Sequence, residues 1–223
     1  MNMTAQQMIP MLREGTWDTL HMVLVSTGIG YLIGLPLGVL LTITDKNGIS
    51  PNRFIYRILD IIMNITRSVP FLILLIMIQP LTKLLVGKSY GTEATVVPLT
   101  IAATPMIARM VESSLKEVDK GVIEAAVSLG ASKFTIIRKV LIPEAKTSLL
   151  VGVTIALGTV LGYSAMSGIV GGGGLGDIAI RYGYYRYETK IMIITVVVLV
   201  LLMQILQWIG MFLSRVTDRR RAD

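Results

Sequence analysis

The sequence predicts an all-α membrane protein with five transmembrane helices. Hydrophobic residues make up 53% of its 223 residues and charged residues only 16%, whereas about a quarter of the residues in a soluble domain are charged. The apolar residues form runs close to the roughly 20 residues that a helix needs to cross a bilayer. Lys and Arg are concentrated in alternate loops between these runs. Together these observations exclude an ordinary soluble domain.

The first predicted span covers residues 19–43. It contains four glycines and Pro36, and such residues are tolerated in membrane helices and allow neighbouring helices to approach closely. Residues 1–15 are polar and mildly amphipathic, and we expect them to lie on the membrane surface. They lack a basic region followed by an apolar core and a cleavage site, so no cleaved signal peptide is indicated.

The second span is less regular. Residues 53–67 are amphipathic and carry Asp60, Asn64 and Arg67, and a clean apolar run follows at residues 69–86. We interpret the region as one long, tilted or broken helix with a kink near Pro70, because proline removes a helical hydrogen bond.

The remaining spans are predicted at residues 94–111, 149–170 and 191–213. A long polar loop at 112–146 precedes span four, and a second polar loop at 177–190, rich in tyrosine, precedes span five. The run Gly-Gly-Gly-Gly-Leu-Gly at 171–176 ends span four. Without an internal repeat, residues 1–223 are expected to form a single transmembrane domain.

The distribution of positive charge predicts the orientation of the chain. Five spans place the termini on opposite sides, and the more basic set of loops faces the cytoplasm. Fourteen Lys and Arg residues fall in one set and six in the other, so we expect the N-terminus outside and the C-terminus and the 112–146 loop in the cytoplasm. The larger set is Lys46, Arg53, Arg57, Arg109, Lys116, Lys120, Lys133, Arg138, Lys139, Lys146, Arg215, Arg219, Arg220 and Arg221.

The same charge pattern excludes other classes of function. The net charge of +7 follows from the basic cytoplasmic loops, and no alternation of aromatic and basic residues indicates nucleic-acid binding. The chain contains no Cys and a single His, which argues against a disulfide framework or a metal site. We therefore expect no cofactor. The glycine run at 171–176 is not followed by Gly-Lys-Ser/Thr, which disfavours nucleotide binding.

The most informative segment lies inside the 112–146 loop. Glu124, Ala125 and Ala126 favour helix, and Gly130 suits the left-handed residue that ends one. Ser132 is expected to cap the next helix. Pro143 disfavours helix at the residue before it, so the segment is predicted as helix, glycine break, helix and proline stop.

This segment resembles the EAA loop of bacterial ABC-importer permeases. That loop reads E-A-A, three residues, G, nine residues, I, any residue, L-P, and here Val140 and Ile142 replace the Ile and the Leu. Residues 67–75, 107–112, 162–168, 171–176 and 182–185 further resemble segments of the methionine-uptake permeases among the type I importers.

The resemblance implies a fold, partners and a function. It implies the type I importer permease fold and a homodimer surrounded by lipid in the bacterial cytoplasmic membrane. Two copies of a separate, MetN-like ATPase subunit would dock on the loop, and an external MetQ-like lipoprotein would deliver D- or L-methionine for import by alternating access. The chain itself would not be an enzyme. The docking residues implied are Glu124, Ala125, Ala126, Gly130, Ala131, Ser132 and Pro143.

The fourth span contains the candidate translocation path. Tyr163, Ser164 and Ser167 are expected to line it, and Met166 among small neighbours is a candidate gate. Methionine is also a common filler of gaps in cores, so packing remains the alternative. Gly158 and Gly162 form a G-x-x-x-G pattern that suits either packing within one subunit or a seam between two.

Three charged residues are candidates for structural or functional roles. Arg109 and Glu112 are spaced to pair on one helix face, as an anchor or as a gating latch. Arg67 lies at membrane depth, where a charge is costly and often functional, unless it extends to the surface. Asp60 is its expected partner. The tyrosines of the 177–190 loop suit an aromatic belt or a contact with the binding protein.

Other functions remain possible from the sequence. Within the same class, the substrate is alternatively another small amino acid or an osmoprotectant. A secondary carrier coupled to ions would need acidic residues within the membrane, and the clean apolar runs contain essentially none. A membrane scaffold protein would not need spans interrupted by glycine and proline.

Overall fold

The computed structural model describes residues 5–217, and every regular element in that range is a helix. The N-terminal residues 1–4 and the tail 218–223, with Arg219, Arg220 and Arg221 of the predicted basic set, lie outside the described residues. The helices are α1 (Ala5–Thr44), α2 (Arg53–Ser68), α3 (Phe71–Met77), α4 (Gln79–Val86), α5 (Thr92–Lys116), α6 (Lys120–Ser128), α7 (Lys133–Ile136), α8 (Ile142–Glu144), α9 (Lys146–Ser167), α10 (Gly174–Ile178) and α11 (Thr189–Thr217).

Four helices within residues 5–217 are long and apolar enough to cross a membrane: α1, α5, α9 and α11. The bent pair α2 and α3, which meet at an angle of 99°, is a candidate for a fifth span. The predicted break near Pro70 is therefore confirmed. Val69 is extended there, and Pro70 has no N–H to continue the helix.

The N-terminal segment differs from its prediction. Helix α1 runs without interruption from Ala5, so residues 5–15 are the start of the first span and not a separate segment on the membrane surface. Met8, Met11 and Leu12 pack against a cluster formed by α10 and α11. These apolar side chains find a protein surface to bury against, which the sequence pattern of this segment alone does not reveal.

The closest packing in the centre of the fold joins α1 to α5. A Cβ atom added at Gly30 or Gly34 would lie 2.9 Å from Ile107, and one at Gly38 would lie 2.5 Å from the carbonyl oxygen of Ala108. Three glycines four residues apart thus face α5, and the predicted close approach of helices is confirmed. The absence of side chains at these positions lets the two backbones meet.

The segment after α9 is more compact than predicted, with a sharp turn followed by helical structure. Gly171, Gly173 and Gly174 have φ values of +74°, +81° and +71°, which side chains rarely adopt. This turn folds α10 back against α9. Residues 177–190, predicted as a loop, are instead helical as far as Tyr184, with a π-helix over Ala179–Tyr184. The loop prediction was wrong because Gly183 allows this segment to pack closely on Met192 of α11.

Candidate coupling loop and transport path

The Gly130 break of the loop between α5 and α9 forms as predicted. Gly130 has a φ of +74°. Its N–H donates to the carbonyl of Val127 at 2.9 Å, and the N–H of Ala131 donates to the carbonyl of Ala126 at 3.1 Å. These two bonds form a Schellman motif, in which a left-handed glycine satisfies the last carbonyls of a helix. Here it ends α6 and redirects the chain by local contacts alone.

Both helices flanking the break have polar caps at their N-termini. The Asp119 carboxylate accepts a hydrogen bond from the N–H of Gly121 at 2.7 Å. Ser132 accepts from the N–H of Thr135 at 3.2 Å, so the predicted cap is confirmed. Each cap satisfies an N–H group that has no partner within its own helix.

The predicted proline stop is wrong. Ile142 is helical, with φ −66° and ψ −46°, and α8 continues through Pro143 to Glu144. A π-helix over Ile137–Leu141 precedes it, in which the N–H of Ile142 donates to the carbonyl of Ile137. Pro143 then occupies the first turn of α8, where no N–H is required of it. The chain thus remains helical almost continuously from α7 to the start of α9 at Lys146.

The loop exposes an apolar surface, which we name the coupling patch. Leu129 is 88% exposed and Phe134 68% exposed, and Val122 and Val127 are about half as accessible as in an open chain. Glu124, Ala125 and Gly130 are also exposed. Large apolar side chains gathered around a motif and left open to solvent are typical of a surface that a partner covers.

The base of the loop contacts the turn between α1 and α2. The ammonium group of Lys133 donates to the hydroxyl of Ser50 at 2.9 Å. A cleft of about 450 Å³ lies between this turn and α6, with Ile43, Ile49 and Leu141 among its apolar lining and Lys120 among its polar lining. The loop is therefore attached at its base and free along its outer surface.

A network of charges joins three segments near the loop. Arg109 binds the carboxylates of Asp60 and Glu112, the latter at 2.7 Å. Lys116 binds Glu112 at 2.8 Å and Asp45 at 2.9 Å. The predicted pairing of Arg109 with Glu112 is confirmed, and its role stays a prediction. Because the network links α5 to α2 and to the end of α1, its geometry favours an anchor.

Neutral groups complete the network. The Tyr56 hydroxyl donates to Glu112 at 3.2 Å, and Arg109 donates to the side-chain oxygen of Asn64 at 3.1 Å. Glu112 is only 5% exposed, so its charge needs these partners. The spacing of Arg109, Glu112 and Lys116 on one helix face could have indicated half of the network. The contacts with Asp45, Tyr56 and Asn64 depend on tertiary structure.

Asp60 is not the partner of Arg67. Seven residues along a helix correspond to about 10 Å, whereas Arg109 of the neighbouring helix binds Asp60 directly. Within residues 5–217, Arg67 is exposed and makes no salt bridge. The expected Asp60–Arg67 bridge is therefore wrong.

The candidate path residues of α9 separate into two groups. Ser164 is 1% exposed and Ser167 is fully buried, and their hydroxyls donate to the carbonyls of Leu161 and Ser164 at 2.8 and 2.7 Å. These hydroxyls are engaged by their own helix, which argues against the lining role expected for them. The Tyr163 ring stacks on Phe71 with centroids 4.5 Å apart, so it joins α9 to the broken span.

Met166 lies on a different face of α9. It is 46% exposed, as are Ile155 at 53% and Ile169 at 51%, and Gly162 between them has open space beside it. These positions follow one another at intervals of seven, four and three residues and therefore form one stripe. Gly158 instead packs against Met203 of α11 within the same chain. The glycine pattern is thus divided between internal packing and an open surface, where Met166 lies.

The tyrosines near the start of α11 are mostly at the surface. Tyr184 and Tyr185 are each 63% exposed and Tyr187 is 87% exposed. The guanidinium group of Arg186 lies 4.7 Å from the ring centre of Tyr182. This exposure suits both roles expected for the tyrosines, and neither is favoured by the contacts within the chain.

Comparison with known proteins gives one consistent answer. Residues 34–222 match the family described as binding-protein-dependent transport system inner membrane component. The chain is 53% identical over 210 residues to the probable D-methionine transport system permease protein MetI of Vibrio cholerae, covering 94% of this chain and 93% of that protein. It is 48% identical to the Escherichia coli K12 D-methionine permease protein MetI, over 74% of this chain and 76% of that protein.

Solved structures agree with these sequence matches. A chain of the inward-facing MetNI methionine ABC transporter superposes with a TM-score of 0.95 at 46% identity, covering 97% of this chain and all of that one. The predicted resemblance and the type I importer permease fold are thereby confirmed. The chain belongs to the family of inner membrane components of binding-protein-dependent transport systems, and it is a multi-pass protein of the bacterial inner membrane.

Proposed function

We propose that the chain is the permease subunit of an ATP-driven importer of D- and L-methionine. It works as a homodimer with two copies of a MetN-like ATPase subunit and an external MetQ-like binding lipoprotein. The observation that carries the proposal is the 53% identity, over nearly the whole chain, with a permease named for D-methionine transport. The ATPase is a separate subunit, so this chain contributes the path and the coupling surface.

The coupling patch is the proposed docking surface for the ATPase. Its residues Glu124, Ala125 and Gly130, with the adjacent Ser132 and the half-buried Ala126 and Ala131, lie on two short capped helices whose backbone bonds are satisfied locally. The exposure of Leu129 and Phe134 supports the proposal, because burying large apolar side chains against a partner is favourable. Pro143 lies at the other end of the loop and fixes its junction with α9.

The proposed mechanism is alternating access. ATP brings the two ATPase subunits together, each moves the loop docked on it, and the dimer opens outward. Hydrolysis resets it to face inward. The nearly continuous helical connection from α7 through α8 to α9 supports this coupling, since a helix transmits displacement along its axis. Lys133 carries the same movement to the turn after α1 through Ser50.

The proposed orientation has the N-terminus outside and the C-terminus and coupling loop in the cytoplasm. The excess of Lys and Arg in one set of loops supports it. Because the chain has no native Cys, single-cysteine variants test it directly. Ser132→Cys should react only with a reagent added from the cytoplasmic side, and Tyr184→Cys only from outside. Reaction of both from one side would refute the orientation.

The proposed gate is Met166 on the open stripe of α9. Tyr163, Ser164 and Ser167 hold the backbone around it through the contacts described above. Met166→Ala should enlarge the path and allow leakage, and Met166→Trp should block it. Unchanged uptake in both variants would assign Met166 to packing.

Reconstitution tests the function as a whole. The chain, its ATPase and its binding protein in liposomes should take up radiolabelled methionine only when ATP is present inside. Unlabelled L- and D-methionine should compete strongly and glutamine weakly. Uptake of glutamine or of a quaternary amine without methionine uptake would overturn the substrate. Uptake driven by an ion gradient without ATP would overturn the mechanism.

A further inference from the structure

Helix α2 has two exposed faces of opposite character. One face is polar along its whole length, with residues that recur at intervals of four and three. The neighbouring face exposes Phe54, Ile58, Ile61 and Ile65, between 42% and 74% each. Lipid suits the apolar face, so the polar face must meet protein or water. That polar stripe consists of Arg53, Arg57, Asp60, Asn64 and Arg67.

The contacts of α2 indicate the depth of Arg67 along α5. Tyr56 contacts Glu112, and Asn64 contacts Arg109, so α2 runs antiparallel to α5. Arg109 is seven residues, or about 10 Å, from the end of α5 at Lys116. Arg67 lies about one turn beyond Asn64, which places it about 15 Å from the level of Lys116. Because the predicted span ends at residue 111, about 7 Å before Lys116, the backbone of Arg67 lies about 8 Å inside that end of the span.

A guanidinium at this depth requires water or an anion. The carboxylates nearest to this level in residues 5–217 are Asp60 and Glu112, and both are bound to Arg109. A second copy related by a two-fold axis along the membrane normal presents the same groups at the same depth. The dimer therefore offers Arg67 no unengaged carboxylate among the described residues, which leaves water or an anion from outside the protein as its partner.

The helix is interrupted immediately after Arg67. Helix α2 ends at Ser68, and α3 leaves at 99° to it. Interrupted helices occur at membrane depth where the backbone is buried in protein or lines a wet cavity, and in transporters such breaks form substrate sites. The break and the unpaired charge thus occur at one place.

We propose that the polar stripe of α2 lines the water-filled path between two copies of the chain, and that Arg67 binds the carboxylate of the amino acid passing through it. A guanidinium matches a carboxylate with two parallel hydrogen bonds. The inference rests on the proposed function, because it takes the cargo to be a zwitterionic amino acid. The stripe would supply the polar lining that the buried hydroxyls of Ser164 and Ser167 do not.

Cysteine chemistry tests the position of Arg67. Arg67→Cys in the assembled transporter should react with membrane-impermeant methanethiosulfonates, because a thiol in a wet path ionises. Ile65→Cys, on the apolar face, should not react. A lipid-facing residue 67 that only extends its charge to the surface would leave the short cysteine side chain in hydrocarbon, and equal inertness of both thiols would overturn the proposal.

Charge restoration tests the binding role. Arg67→Cys should lower methionine uptake about tenfold, the effect of losing one charge-assisted hydrogen bond. The aminoethyl reagent, which restores a positive charge, should recover uptake, and the sulfonatoethyl reagent should not. Lys88→Cys, which lies outside the stripe and whose pair with Glu93 is exposed, should react with both reagents without change in uptake. Recovery by both reagents, or by neither, would overturn the carboxylate contact.

A second pair of variants tests the same role if the Arg67→Cys protein expresses poorly. Arg67→Lys should retain most uptake and Arg67→Gln should lose it, with unchanged melting temperature and ATP hydrolysis in both. A merely structural role at the end of α2 would instead lower the melting temperature of Arg67→Gln. If wild-type transporter imported another amino acid and not methionine, the same tests with that cargo would still decide the role of Arg67.

Discussion

The coupling loop and the charged network of α5 lie close together and are built in opposite ways. In the loop, the cap of Ser132 and the Schellman motif of Gly130 join residues three to five apart, and the outer side chains are exposed. In the network, Arg109 reaches Asp60 and Asn64, 49 and 45 residues away, and the 5% exposed Glu112 accepts from three partners. The comparison indicates a loop whose shape is fixed locally so that its surface stays available, beside a joint whose energy depends on the fold.

The largest effect is expected from breaking the network. Arg109→Gln leaves the Asp60 carboxylate without its cation and Glu112 with only Lys116 and Tyr56. Removing one member of a buried ion pair costs about 3–5 kcal/mol, so the melting temperature of the purified chain should fall steeply. Lys88→Ala is the control, because its pair with Glu93 is exposed and such pairs contribute under about 1 kcal/mol. Similar small losses in both variants would contradict a structural joint.

The second prediction concerns the loop. Gly130→Val should abolish uptake, because the left-handed conformation is strained for a β-branched residue by at least about 1–2 kcal/mol. The melting temperature should change little. No atom lies within 4 Å of a Cβ placed there, so the effect acts through backbone conformation alone. Gly130→Asn is the matched variant, since asparagine tolerates this conformation. It should retain most uptake, and equal loss in both variants would point to a steric cause.

A smaller effect is expected at the second cap. Ser132→Ala removes the acceptor for the N–H of Thr135 and should destabilise α7 by about 1 kcal/mol. Uptake should fall severalfold, and hydrogen exchange should quicken at the start of α7 only. Ser132→Asp keeps an acceptor and should behave like wild type. Exchange that quickened equally across α5 would show that the loop is not locally stabilised.

The same contrast explains what the sequence could predict. The left-handed Gly130, the Ser132 cap and the break at Pro70 follow from backbone preferences of single residues, and all three appear in the structure. The pairing of Arg109 with Glu112 follows from helical spacing. Each of these features is decided within a few residues of the chain.

The missed features depend on distant segments. Asp60 was paired with the wrong arginine because its true partner is 49 residues away. The N-terminal residues were placed on the membrane surface because the cluster that buries them lies on α10 and α11. Pro143 was expected to stop a helix, and a preceding π-helix accommodates it. Ser164 and Ser167 were expected to line the path, and their burial likewise depends on how α9 packs against the other helices.

The smallest expected effect concerns Asp45, where the network meets the turn after α1. Hydrogen bonds from the N–H of Asn47 at 3.0 Å and from Lys116 at 2.9 Å hold the pKa of this carboxyl below its usual value. A lowered pKa contributes stability above the unfolded pKa of about 3.9, and the contribution disappears as pH falls through the folded value. Asp45→Asn should therefore lower the free energy of unfolding at pH 7 by under about 1 kcal/mol, seen as a slightly lower melting temperature than that of wild type. The difference should begin to shrink below about pH 4, near the unfolded pKa, and should vanish below the lowered folded pKa, where both chains carry a neutral group. A difference that stayed constant down to pH 3 would mean that the charge of Asp45 contributes nothing and that its contacts act only as neutral hydrogen bonds.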